Sequence, residues 1–226
     1  MNILALDTST RFLCIGIEFE GKTRGYRFDL QRRLSEKLIP LLDRIFRRLK
    51  VKLEEFDFFC VGIGPGSFTG LRVGVATVKG LSLNQRKNIV CVSSLDVIAN
   101  NVSSMKSLIC PTIDARRNLV YSCLYRKTQN LKRTSKYLLV SINELLERIS
   151  GPAVFLGDGL LLYRDLLEKR LKGRIEFLSE DFWYPTPNSL IELAKQKIKE
   201  KRFCDPFEIS PLYLYPKECQ IRSRIK

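Results

Sequence analysis

Phe58-Phe59-Cys60-Val61-Gly62-Ile63-Gly64-Pro65-Gly66-Ser67-Phe68-Thr69-Gly70-Leu71-Arg72-Val73-Gly74 is the stretch on which the fold turns. The apolar run Phe58–Ile63 reads as a buried strand, and the residues after the glycines read as a helix to about Leu83. Glycines allow backbone positions that a side chain forbids, and a helix starting there exposes its free N–H groups. Anion and phosphate sites are built in this way. The stretch is not a P-loop, because Leu71 and Arg72 follow Gly70 where Lys and Ser or Thr belong. A second reading stays open. The turn is only a tight strand-to-helix corner, with Gly70, Gly74 and Thr77 giving a small face for close helix packing.

Upstream, Asn2–Thr8, Phe12–Phe19 and Thr23–Leu30 read as three strands joined by two tight turns, an antiparallel meander. Ser35–Leu49 places Leu38, Leu41, Leu42, Ile45, Phe46 and Leu49 on one helical face, with Ser35 at the capping position. Pro40 falls near its start, where a missing N–H costs less. Downstream, Ile89–Ser93 is a strand and Leu95–Val102 a short helix.

The pattern then begins again. Leu108–Ile113, Leu119–Tyr125 and Tyr137–Val140 read as strands and Ile142–Ile149 as a helix. Ala153–Leu156 is a strand that runs into Gly157-Asp158-Gly159, followed by a helix over Leu162–Leu171. Ile175–Leu178 is a short strand, and Asn188–Lys201 an amphipathic helix after Pro185 and Pro187. A meander followed by helix–strand units, occurring twice, predicts an α/β chain of two related lobes. Each would be a mixed sheet with helices, of the ribonuclease-H-like, actin-like (ASKHA) type. The polar run Ser103–Ser107 is the candidate boundary, dividing lobes 1–106 and 107–226.

Composition narrows the chemistry. The chain of 226 residues has 39 Lys and Arg against 24 Asp and Glu, a net charge of +15 spread over both halves. That suits a polyanionic partner, and it equally suits a basic proteome. There is no histidine, so Ser-His-Asp and Cys-His triads and histidine-held metals are excluded. No apolar run is long enough to span a membrane, and the N-terminus lacks the basic segment of a signal peptide. Seven cysteines without a C-x-x-C pair, mostly inside apolar runs, point to reduced thiols and the cytoplasm.

Besides Gly64, Gly66 and Ser67, the candidate anion-binding or nucleotide-binding residues are Asp7, Thr8, Ser9 and Asp114. Asp7 ends the first strand at a turn rich in hydroxyls. In actin-like phosphotransferases an Asp there holds a magnesium-bound water and a glycine follows it, whereas here Thr8-Ser9-Thr10 follows. Asp7 could equally accept hydrogen bonds from its own turn. Asp114 is its counterpart in the second lobe, followed by Arg116 and Arg117, which read as a solvated pair.

Three runs, Ile3-Leu4-Ala5-Leu6-Asp7-Thr8-Ser9-Thr10, Gly64–Gly74 and Ile113-Asp114-Ala115-Arg116-Arg117, closely resemble the TsaB family. Gly157-Asp158-Gly159 and Pro211-Leu212-Tyr213-Leu214 fit it as well, so the resemblance runs the length of the chain. It implies a non-catalytic subunit needed to make threonylcarbamoyladenosine beside the tRNA anticodon. The chemistry would belong to a TsaD-type partner, whose metal is held by two histidines that this chain lacks. A TsaE-type ATPase would complete the set. Nothing would be bound stoichiometrically here, weak ATP binding by the chain itself staying open, while the complex uses ATP and magnesium and meets tRNA. The partner is expected on the helices Ser35–Leu49 and Thr69–Leu83, through Leu38, Leu42, Ile45, Gly70, Gly74 and Thr77, with a homodimer when the chain is alone. The alternative is a weak actin-like phosphotransferase or ATPase acting by itself. Two departures stand out. Leu34 precedes Ser35-Glu36 where the family often has His, and Tyr215 follows Leu214 where it often has Arg.

Overall fold

The structure, a computed structural model, describes residues 1–30 and 33–216. The elements run β1 (Ile3–Asp7), β2 (Phe12–Phe19), β3 (Lys22–Asp29), α1 (Leu34–Leu49), β4 (Phe58–Gly62), α2 (Phe68–Gln85), β5 (Asn88–Val92) and α3 (Ser94–Asn100). The second half continues with β6 (Met105–Arg116), β7 (Leu119–Ser122), β8 (Tyr125–Lys127), β9 (Leu131–Arg133), β10 (Leu138–Val140) and α4 (Ile142–Leu146). It ends with β11 (Ala153–Leu156), α5 (Leu160–Leu171), β12 (Ile175–Phe177) and α6 (Pro187–Lys199).

Two sheets carry the same plan. The first has the order β3-β2-β1-β4-β5, and the second has β10-β7-β6-β11-β12. In each, the first three strands in sequence order along this path are antiparallel, and the last two join in parallel. This is the two-lobed, actin-like arrangement. The central strand β1 is buried throughout, because helices cover both faces of its sheet. Leu4 and Leu6 face the core beneath α1 and α2, while Ile3 and Ala5 face α6.

Helix α6 ties the halves together. Residues 107–226 contain the whole second sheet after its first two residues, yet α6 lies on the first sheet, burying Leu190, Ile191 and Ala194 against β1, β2, β4 and β5. Gly16 and Gly25 are cross-strand partners and form the floor for this contact. A Cβ on Gly16 would meet Ile191 Cγ1 at 2.7 Å, and one on Gly25 would meet Pro187 Cβ at 2.6 Å. At its rim Lys195 Nζ donates to the buried Glu18 at 2.7 Å.

Local details depart from the sequence reading. Helix α1 begins at Leu34 and receives no side-chain cap, so Ser35 lies inside the first turn and does not cap it. The expected strand Leu119–Tyr125 breaks at Cys123-Leu124, where Leu124 N–H turns to Ser135 Oγ at 2.9 Å. The hairpin β8–β9 that follows was not legible, because its three-residue strands are too short to show a period.

The small face of α2 points inward. A Cβ on Gly70 would meet the Thr8 carbonyl oxygen at 2.1 Å, and one on Gly74 would meet Thr8 Oγ1 at 2.1 Å. Thr8 Oγ1 donates to Gly70 O at 2.8 Å. Leu38, Leu42 and Ile45 of α1 are likewise in the first lobe's own core. Five of the six residues expected at a partner surface are therefore used inside the lobe, and only Thr77 is half-exposed. An apolar helical stripe cannot say from sequence whether its own sheet or another chain covers it.

Gly70→Ala should destabilise the isolated chain by about 2 kcal/mol or more in urea unfolding, because the opposing atom is backbone. Gly80→Ala, in the same helix with nothing within 4 Å of the added carbon, should stabilise it by about 0.5–1 kcal/mol. Equal effects at the two positions would contradict this packing.

Candidate functional site

At the first lobe's switch from β1 to the glycine turn, the Asp7 carboxylate is fully buried. It accepts from Ser9 N–H at 2.8 Å and from Ser94 Oγ at 2.7 Å. Burial pushes its pKa up, against the lowering effect of the bonds from Ser9 and Ser94. Ser94 Oγ in turn accepts from Gly64 N–H at 3.2 Å. One carboxylate thus joins β1, the start of α3 and the glycine turn. Gly62 must lack a side chain, since a Cβ there would lie 2.0 Å from Asp7 Oδ2.

The N–H groups of the turn are largely occupied from within. Ser67 N donates to Ser9 O at 2.7 Å, and Leu71 N to Ser67 O at 2.9 Å. Ser67 caps α2 by accepting from Gly70 N at 3.2 Å. Asp7, Thr8 and Gly64 do not reach the cleft between the lobes, and the geometry around Asp7 does not fit a magnesium-bound water. Ser9, Gly66, Ser67 and Asp114 do line that cleft, which encloses about 650 Å³.

The second lobe contributes differently. Asp114 Oδ1 accepts from Arg116 N–H at 2.8 Å, and its Oδ2 pairs with the Arg116 guanidinium at 2.9 Å. Asp158, in the glycine corner after β11, accepts from Asp114 N–H at 3.0 Å. Burial lifts the Asp158 pKa, and the Asp114 charge adds to this, while the Asp114 N–H and Arg116 oppose it. Arg117 lies over the Tyr215 ring, 5.8 Å from its centroid. Both arginines are exposed at the cleft edge, with 86% of the Arg116 side chain accessible, as the solvated pair the sequence predicted.

Arg11 and Tyr184 line the cleft without any signal in the sequence, and the resemblance alone singled out its other two late residues, Tyr213 and Tyr215. The segment holding the last two crosses from lobe to lobe. Leu212 N donates to Ile63 O at 2.7 Å, Arg72 Nε to Tyr213 Oη at 3.0 Å, and Tyr215 Oη to Ala115 O at 3.0 Å. Single aromatic residues near a chain end have no periodicity to mark them. Among the described residues no cluster of three or more His, Cys, Asp or Glu is placed to hold a metal. Nor is any described helix long and apolar enough to cross a membrane.

Residues 29–221 match the family described as TsaD, tRNA N6-adenosine threonylcarbamoyltransferase. The Bacillus subtilis protein named tRNA threonylcarbamoyladenosine biosynthesis protein TsaB is 31% identical over 229 residues, covering 98% of this chain and 97% of its own. The chain belongs to the TsaB family. The Escherichia coli TsaB protein is 25% identical, with 95% and 94% covered. A solved structure described as YeaZ from Pseudomonas aeruginosa superposes with a TM-score of 0.80 at 24% identity, covering 94% of this chain and 99% of that one. That likeness concerns the fold alone. The match to these TsaB relatives runs through both lobes of the chain.

Because the folded pKa of Asp158 is raised, its charge opposes folding above that pKa. The Asp158 contribution to stability should fall as pH rises from about 4 through the raised value. Asp158→Asn keeps an acceptor for Asp114 N–H and removes the charge. It should be more stable than wild type at pH 7, with the difference gone below about pH 4. Chemical denaturation at the two pH values checks this, and a gain that persists at low pH would contradict it.

Proposed function

We propose that this chain serves tRNA threonylcarbamoyladenosine biosynthesis as a non-catalytic subunit that binds and activates a TsaD-type catalytic partner. A TsaE-type ATPase completes the cytoplasmic assembly, and ATP and magnesium are used by the complex. The observation that carries the partner reading is the outward side of α2. Thr69, Ala76, Gly80 and Leu83 are exposed and Val73 and Thr77 half-exposed along one stripe, and Leu83 keeps 43% of its surface accessible. Residues three and four apart share a helix face. This one is small and uncharged, so a second helix can approach closely enough for many weak dispersion contacts. A second copy of the chain competes for the same stripe when the partner is absent. The sealed Asp7 supports the non-catalytic reading, since a phosphotransferase needs that carboxylate in its cleft.

Ala76→Arg places a long cation in the stripe without touching the lobe's interior. It should remain folded by circular dichroism, become monomeric, and bind the TsaD-type partner at least about 100-fold more weakly. Wild-type partner affinity in this variant, or ATP turnover by the purified chain alone, would refute the reading.

The basic surface is assigned to tRNA within the assembly. The logarithm of tRNA affinity should then fall linearly with the logarithm of salt concentration, by counterion release. Charge reversal at Arg44 and Arg48, exposed on α1, should make that slope shallower if this face meets the phosphates. An affinity independent of salt would remove tRNA from the surface altogether.

A further inference from the structure

Six cysteines lie among the described residues. Cys14, Cys60, Cys110 and Cys123 are buried, while Cys91 and Cys204 reach solvent. Cys91 lies on β5, the edge strand of the first sheet. Past α6 the chain folds back onto that edge. Cys204 N donates to Ile89 O at 2.8 Å, forming an isolated antiparallel bridge. Phe203 stacks on Phe58 of the neighbouring strand, with centroids 5.8 Å apart and planes within 6°. Ile89 and Cys91 are two residues apart on one strand and share a face, so the bridge opposite Ile89 makes Cys204 a diagonal neighbour of Cys91 on that face.

We infer that Cys91 and Cys204 form a peroxide-oxidisable dithiol, a modification site at the root of the segment that crosses the cleft. The Cys91 thiol is the nearest ionisable neighbour acting on Cys204. That thiol, with the Cys91 backbone and the Lys197 ammonium and against burial, lowers the Cys204 pKa to about 6. Cys91 is raised, first by its neighbour Cys204 and then by burial, with Cys60 the other thiol acting on it. At neutral pH Cys204 is therefore the thiolate and the nucleophile.

Its sulfur attacks hydrogen peroxide. An S–O bond forms, the O–O bond breaks, and the departing hydroxide takes a proton to become water. The Cys91 sulfur, having given up its proton, then attacks the resulting sulfenic acid. The S–S bond forms and hydroxide leaves as a second water. In sum, two thiols and one hydrogen peroxide become one disulfide and two waters. Diagonal neighbours on paired strands have Cα atoms roughly 7–8 Å apart, slightly beyond the usual disulfide range. Cys204 sits outside regular strand, in an isolated bridge, so the small slide needed is open to it.

The position gives the modification a reach beyond its own two residues. From Cys204 the chain runs along α2, where Lys79 Nζ donates to Phe207 O at 3.3 Å, then to Leu212 and the lobe-crossing Tyr215. A disulfide would fasten this segment to the first sheet covalently.

The full-length reduced chain at pH 7, treated with one equivalent of hydrogen peroxide, is read by intact mass and by peptide mapping without reductant. The expected result is a loss of about 2 Da, a peptide linking Cys91 to Cys204, and reversal by dithiothreitol. Native alkylation by iodoacetamide should be fastest at Cys204, with a rate rising to a plateau around pH 6 to 7. Cys91→Ser should halt the reaction at a dimedone-reactive sulfenic acid on Cys204. No mass loss in the wild-type chain, a disulfide that uses Cys219 or a buried cysteine in place of either thiol, or a loss that persists in Cys91→Ser overturns the proposal.

Discussion

The first lobe depends on one buried carboxylate. Burying a charged carboxyl is unfavourable unless hydrogen bonds replace water, and Asp7 meets that condition through Ser9 N–H and the Ser94 hydroxyl. Those donors come from the turn after β1 and the start of α3, and Ser94 also holds Gly64. The requirement to satisfy one group thereby sets the positions of three segments. It also forces Gly62 to lack a side chain and draws the β1 turn beneath α2, where Gly66, Gly70 and Gly74 leave room for Ser9 and Thr8.

The second lobe repeats this geometry and uses it in another way. Gly157 and Gly159 approach the Thr112 backbone as the first-lobe glycines approach Thr8 and Ser9, and a Cβ on Gly157 would meet Thr112 O at 2.3 Å. The acid at the strand end is not sealed, however. Asp114 pairs with Arg116 at the cleft edge, and Asp158 takes the backbone N–H. Two copies of one supersecondary plan therefore present unequal chemistry. One carboxylate works as internal scaffold, and the other belongs to a cleft edged with arginines and tyrosines and crossed by the chain's own later residues.

The return of the chain shapes both surfaces. Helix α6 completes the first lobe from sequence that otherwise belongs to the second, burying Leu190 and Ile191 against the first sheet. The residues after it then occupy the edge of β5 and the side of α2. Covering an open sheet edge in this way removes unpaired backbone groups that would invite another strand. It leaves the far side of α2 bare, the side whose small residues face outward.

Much was written locally and could be read locally. The period-two meander, the strand ending in Gly64–Gly70, the repeat after residue 107 and the lack of histidine depend only on neighbours in the chain, and together they determined the two-lobed α/β fold and excluded imidazole chemistry. Which face of a helix is covered depends on residues far away in sequence. Gly70 and Gly74 look the same whether the atom opposite is Thr8 of their own lobe or a partner's helix. The sealing of Asp7, the pairing of Asp114 with Arg116 and Asp158, the meeting of Cys91 with Cys204, and the outward stripe of α2 were decided only by tertiary packing, because each is set by the distance between segments that the sequence does not order.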